Sequence, residues 1–251
     1  MGTADFACPS LAALDDASGI EVAAVVTQPD RPKGRQLASH PPPIKLEAEA
    51  RHLTVHQPEL LRSKTEFLKR LAPELIVVAA YGQILPQTVL KLPTHGCLNV
   101  HGSLLPAYRG AAPIQRALLD GREETGITIM LMDAGLDTGP IVSKKTTPIA
   151  PHENAQMLHD RLAKIGADLL LKTIPGYVAG EFRPKPQDET LATHAAKITR
   201  DMGRIDWSSS AVLLWNQARA FSPWPGLYTH LHRKRLKLLV VEPEDADCLT
   251  P

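Results

Sequence analysis

An α/β fold, built on a doubly wound and mostly parallel sheet, is what the 251-residue sequence predicts. Three observations carry this reading. Short β-branched or apolar runs recur at residues 20–27 (IEVAAVVT), 74–82 (ELIVVAAYG) and 96–102 (GCLNVHG), and turn residues end each of them, as expected of buried strands. Helical stretches separate these runs, so consecutive strands pair in parallel and are covered on both faces. A long amphipathic helix over 154–173 then aligns Met157, Leu158, Leu162, Ile165, Leu169 and Leu170 on one face, a core stripe.

Taken in order, residues 28–43 are crowded with Pro, Gly and basic side chains and read as a long loop after the first strand. Helices are expected over 44–52, 87–91 and 111–119. Two further strands, roughly 126–132 and 140–148, flank the turn DAGLDTG, and so short a connection makes them antiparallel. Residues 182–199 are polar and weakly patterned and read as a linker. Beyond them lie RIDW, a helix over 210–221, the turn SPWPG and two strand-like runs, 227–231 and 236–241, enough for a small second domain.

Composition narrows the function classes. Lys and Arg number 28 against 27 Asp and Glu, a net charge of +1, which excludes a protein that coats nucleic acid while leaving room for local basic patches. No run of eighteen apolar residues and no basic-flanked apolar leader is present, so a cytoplasmic protein with no membrane association is expected. The three cysteines, Cys8, Cys97 and Cys248, are odd in number and far apart, which suits a reducing compartment. Gly2 invites a myristoylation reading, but position 6 is Phe6 rather than Ser or Thr.

Several chemistries lose their support from motifs the sequence lacks: GxxxxGK[ST], GxGxxG after a strand, GxSxG and HExxH. No metal site is expected. His52 and His56 are four apart, but the Leu53-Thr54-Val55 between them favours a strand over a shared helical face.

The informative cluster is Asn99-Val100-His101, at the end of the strand GCLNVH. Residues two apart on a strand share a face, and α/β sheets bind ligands at the carboxyl ends of their strands. An amide NH2 beside an imidazole suits a carbonyl oxygen that turns negative during acyl transfer. Asp137, in the turn between the last two strands of this domain, is placed to steady His101. Polar residues at strand ends also cap loops, so spacing alone leaves the structural alternative open.

The strings MGTADFACPSL, TQPDRPKGR, NVHGSLLPAYRGAAPIQRAL, ETGITIM with MDAGLDTGPI, QDETLATHAAKI, GRIDW and AFSPWPG run in this order from Met1 to about Gly226. Together they resemble the folate-dependent formyltransferases and, within them, the methionyl-tRNA formyltransferase family. The resemblance implies transfer of a formyl group from 10-formyltetrahydrofolate, the co-substrate, to the α-amino group of methionyl-initiator-tRNA. It makes Asn99, His101 and Asp137 the catalytic trio. Ser103, Leu104, Leu105 and Pro106 become the segment that contacts folate, with Ile84, Leu85 and Gly135 also on the folate side. For the tRNA it implies Arg31, Lys33 and Arg35 in the long loop, and Arg233, Lys234 and Arg235 in an OB-like C-terminal domain. A charged hairpin tip protecting a sheet edge is an alternative reading of the second group.

The resemblance also sharpens the expected architecture: a catalytic domain over 1–182, a linker over 183–200 and a partial OB-like domain over 201–251, acting as a monomer. The chain departs from the family's pattern at three places. Residues 36–40 (QLASH) replace a Gly and Lys continuation of the tRNA loop. Family members carry an apolar strand just before the GTxDFA turn in which this chain opens, so the sheet is expected to lack its first strand and leave a core slot open. Two strands at the other end cannot close an OB barrel of five. Truncation at both ends is therefore expected. The alternatives are another 10-formyltetrahydrofolate-dependent formyltransferase or hydrolase, for instance one acting on a nucleotide-sugar amine, and a non-catalytic tRNA-binding remnant.

Overall fold

The computed structural model describes residues 1–33 and 38–242. The chain opens with helix α1 (Cys8–Asp16), strand β1 (Val25–Val26), the short hairpin of β2 (Arg31–Lys33) and β3 (Ala38–His40), helix α2 (Pro43–Ala50) and strand β4 (Val55–His56). Helix α3 (Glu66–Leu71), strand β5 (Ile76–Val78), helix α4 (Gln87–Leu90), strand β6 (Cys97–His101), strand β7 (Arg109–Gly110) and helix α5 (Pro113–Leu119) follow. Next come the long strands β8 (Glu124–Leu131) and β9 (Ile141–Pro148) and helix α6 (Ala155–Val178). Strand β10 (His194–Ala195), helix α7 (Ala211–Ala220) and the hairpin β11 (Leu227–Leu231) and β12 (Lys234–Leu238) complete the described chain.

The α/β class holds, with a mixed sheet at its centre. Its order is β5-β6-β8-β9, with β5 and β6 parallel and both β6/β8 and β8/β9 antiparallel. Beside it, β1 and β4 form a separate parallel pair. Met1 and Gly2 run between the two sheets: the Gly2 N–H donates to the Val26 carbonyl at 3.0 Å, and the Ala79 N–H donates to the Met1 carbonyl at 3.0 Å. A cavity of about 1070 Å³ continues this line, walled by Leu11, Ile20, Val22, Val77 and Ile174 among others. It lies where an open core slot was expected. The expected strand over 20–27 is reduced to Val25–Val26, the two residues that pair with Val55 and His56 of β4.

Two apolar clusters cover the sheet. On one face α6 lays Leu158, Leu162, Leu170 and Ile174 against Leu98, Val100, Ile127 and Ile129. Gly166 lets the helix approach closely, since a Cβ there would sit 2.8 Å from Val100 Cγ1. Val26, Leu61, Leu68, Ile76, Val78, Leu85, Val89 and Cys97 fill the other cluster. Helix α6 starts as its sequence requires: the Asn154 side chain accepts the Met157 N–H at 3.0 Å, capping a free donor. No helix among the described residues is long and apolar enough to cross a membrane.

Residues 185–195 are hydrogen-bonded to the main domain at several points. Lys185 and Ile141 exchange N–H to carbonyl bonds at 2.7 and 2.8 Å, and β10 pairs in parallel with β7. Gly110 has φ +118, and a Cβ there would meet the Ala195 carbonyl oxygen at 2.7 Å, so this crossing needs glycine. Beyond the crossing, Ile205, Ala220, Phe221 and Leu227 join the cluster that contains Leu118.

Candidate active site

Strand β6 sorts its side chains by parity. Leu98 and Val100 face α6, while Cys97 belongs to the opposite cluster, so Asn99 and His101 emerge together on the Cys97 side. Both are sheltered, at 9% and 5% exposure. His101 closes the strand, opposite Thr128 of β8.

A backbone carbonyl fixes the imidazole. His101 Nε2 lies 3.0 Å from the Tyr108 carbonyl oxygen, which only accepts, so Nε2 carries the hydrogen and donates. Tyr108 presents that carbonyl from a left-handed turn at φ +63. Its phenol is anchored in turn, donating to Asp120 Oδ2 at 2.9 Å and accepting from Arg122 Nε at 2.8 Å. Burial pushes the phenol above its ordinary pKa, against the opposing effect of the Arg122 hydrogen bond.

The other ring nitrogen, Nδ1, faces Asp137 Oδ2 at 3.7 Å. Asp137 sits in the turn between β8 and β9 at φ +55, a left-handed conformation uncommon outside glycine. Its Oδ2 accepts the Gly110 N–H at 2.8 Å, and its carbonyl accepts Gln187 Nε2 at 2.8 Å. Gly135, in the same turn, donates its N–H to Asp133 Oδ1 at 3.0 Å and is exposed.

The segment after β6 is held from behind. Ser103, fully buried, donates its hydroxyl to the Ala107 carbonyl at 2.6 Å. Thr128, also fully buried, donates Oγ1 to the Ser103 carbonyl at 2.7 Å and accepts the Leu105 N–H at 3.0 Å. Lys144 of β9 brings Nζ to the Leu105 carbonyl, and burial of its tip lowers the ammonium pKa. Leu105 is buried, and Leu104 and Pro106 are partly so. Of the two apolar residues expected on the folate side, Leu85 is buried and Ile84 is 88% exposed.

The basic groups are dispersed on exposed strands. Arg31 is exposed on β2, Lys33 ends the same strand, and Arg35 lies outside the described residues. Asp30, at the root of that loop, is held below the ordinary carboxylate range by hydrogen bonds from Gln57 and Lys45. Arg233 and Lys234 are exposed around the turn from β11 to β12, while the Arg235 guanidinium stacks 3.7 Å over the Tyr228 ring.

Sequence reasoning missed the residues behind this site. Thr128 carried a faint signal as a polar residue in the buried run ITIM. Tyr108, Lys144, Arg109 and Gln187 carried none in periodicity, because hydrogen bonds rather than an apolar face tie their side chains in. Chemically, an amide, an imidazole with one free nitrogen and a carboxylate converge at a strand end, which suits stabilisation of a developing oxyanion and proton movement beside it.

Comparison with known proteins bears on the same elements. A model of the formyl transferase family matches residues 1–174, and a model of the formyl transferase C-terminal domain matches residues 197–249. The chain is 50% identical over 240 residues to a methionyl-tRNA formyltransferase of Geobacter sulfurreducens, covering 95% of this chain and 75% of that one. It is 51% identical over 250 residues to a methionyl-tRNA formyltransferase of Halorhodospira halophila, covering 97% of this chain and 80% of that one. Among solved structures, an N-formyltransferase from Helicobacter canadensis, in complex with folinic acid and dTDP-3-aminofucose, superposes with a TM-score of 0.68 at 20% identity, covering 92% of this chain and 82% of that one. HypX from Aquifex aeolicus, in complex with tetrahydrofolic acid, gives 0.63 at 21% identity, covering 80% of this chain and 35% of that one. At such identities these structures speak for the fold alone. With both family models matched in order and half of the residues shared with these relatives along nearly its whole length, the chain belongs to the formyl transferase family, in its methionyl-tRNA formyltransferase branch.

Proposed function

We propose that this protein transfers the formyl group of 10-formyltetrahydrofolate to the α-amino group of methionyl-initiator-tRNA, in the cytoplasm, as a monomer, without a metal. The observation that carries the reading is the approach of His101 Nδ1 to Asp137 Oδ2 at 3.7 Å, beside Asn99 at the end of the same strand. Relatives named for this reaction share half of its residues.

In the reaction the α-amino nitrogen bonds to the formyl carbon, the bond from that carbon to N10 of the donor breaks, and one proton passes from the attacking nitrogen to N10. The Asn99 amide donates to the formyl oxygen as it becomes negative. The Nε2 hydrogen of His101 is committed to the Tyr108 carbonyl, so Nδ1 is the nitrogen that handles the moving proton, with Asp137 supporting the imidazolium. Ser103 to Pro106, with Leu85, Ile84 and Gly135, hold the donor. Arg31, Lys33 and Arg35, and Arg233 to Arg235, meet the tRNA backbone.

The test is a formylation assay offering methionyl-initiator-tRNA, a nucleotide-linked amino sugar and water as acceptors. Formyl transfer to the tRNA is expected. His101→Ala is expected to lose on the order of 10²-fold or more in kcat while its thermal unfolding stays near that of the parent. Preferential use of the sugar, donor hydrolysis, or tRNA binding with no transfer would each refute the assignment.

A further inference from the structure

We infer that Gln187 is a positioning residue for Asp137, locked in one amide orientation by Arg109. The inference rests on the reading of Asp137 given above. Gln187 Nε2 donates to two carbonyls of the turn that carries Asp137, those of Asp137 itself at 2.8 Å and of Gly139 at 2.7 Å. Its Oε1 accepts from Arg109 Nε at 3.1 Å and Nη2 at 2.8 Å. The orientation is forced by chemistry, because a flipped amide would set NH2 against the guanidinium and oxygen against two carbonyls.

Arg109 is itself immobile. It is 3% exposed and donates from Nη1 and Nη2 to both carboxylate oxygens of Glu189, at 2.8 Å each. This fork holds Glu189 below and Arg109 above their ordinary pKa values, chiefly through the hydrogen bonds between them, so both stay charged near neutrality. The next residue, Gly110, donates its N–H to Asp137 Oδ2. Asp137 is thus gripped twice from the Arg109-Gly110 strand: directly at the carboxylate, and through Gln187 at the backbone. Since Asp137 stands in a left-handed conformation, its carboxylate stays opposite His101 Nδ1 only while such outside bonds hold the turn.

Gln187→Leu keeps the volume and removes both polar functions; Asp188→Ala, which removes the neighbouring cap on Thr190, controls for general loosening of the segment. Expected for Gln187→Leu is a fall in kcat on the order of tenfold, with KM for both substrates within about twofold and a modestly lower Tm, assays being run well below it. Asp188→Ala is expected to change none of these. In a double-mutant cycle, Gln187→Leu is expected to add little further loss to Asp137→Asn, as befits a residue that acts through Asp137. A full multiplicative loss, or an unchanged kcat in Gln187→Leu while Asp137→Asn is impaired, would overturn the inference and leave the functional reading intact. An Asp137→Asn variant with parental kcat would instead refute the reading of Asp137. Amide hydrogen exchange supplies a readout independent of turnover: residues 133–139 are expected to exchange faster in Gln187→Leu while the sheet is unchanged, and equal exchange would overturn the inference as well.

Discussion

At His101 one hydrogen bond decides which nitrogen is left free. The Tyr108 carbonyl consumes Nε2 and leaves Nδ1 toward Asp137, so the tautomer follows from the backbone of a turn seven residues on. Thr128 plays the matching part for Ser103 to Pro106, because its single hydroxyl both donates to Ser103 and accepts from Leu105. Thr128→Val keeps the shape and strands two buried backbone groups, so it is expected to cost about 1–3 kcal/mol of stability. It is also expected to raise KM for the folate donor more than it lowers kcat, which thermal unfolding and initial rates at varied donor would measure. Asn99 and His101 were legible in the sequence because a period of two on a short buried run fixes which residues share a face. Gln187 was not, and Thr128 only faintly, because their partners, backbone atoms and for Gln187 also the Arg109 guanidinium, are brought close only by the tertiary fold.

Among the elements, α6 and β6 appear close to where periodicity put them, since both bury an apolar face. The segment over 182–199 was read as a linker on its polarity, yet Gln187, Glu189 and Thr193 bind by hydrogen bonds, and such binding leaves no apolar period to detect. Helix α1 escaped notice for a related reason, as Ser10 and Leu11 are its only buried residues. The start of α6 is tied to β9 by Arg161, which donates to Thr147 and to the Pro148 carbonyl; Glu153 holds that guanidinium, its carboxylate accepting from Arg161 Nε at 2.8 Å and Nη2 at 2.7 Å and from the Ala150 N–H at 3.1 Å. Burial by itself would raise this carboxyl, but the Arg161 bonds, the Ala150 N–H and the nearby Arg219 charge together hold it below the ordinary glutamate range. A depressed acid stabilises the fold at pH values above its unfolded pKa, and that contribution fades as pH falls through the lower folded value. Glu153→Gln is therefore expected to cost on the order of 1–2 kcal/mol at pH 7, discounted because Arg161 is partly solvated. The difference from the parent is expected to shrink below about pH 4, as urea unfolding across pH would record.

At the scale of the whole molecule, the cavity of about 1070 Å³ beyond Met1 is a departure from close packing. It lies between two parallel ladders, and its wall combines aliphatic side chains such as Leu11, Ile20, Val22 and Ile174 with polar ones such as Ser10 and Glu74.

The crossing of Gly110 under Ala195 has a consequence in time. Its partners lie more than eighty residues apart in the sequence, and Gln187 reaches Asp137 across fifty. Until residues 187–195 have left the ribosome's exit tunnel, a nascent polypeptide can hold Asp137 through the Gly110 N–H but has neither the Gln187 bonds nor the β7–β10 ladder. That second grip is thus among the later parts of the turn's support to be synthesised.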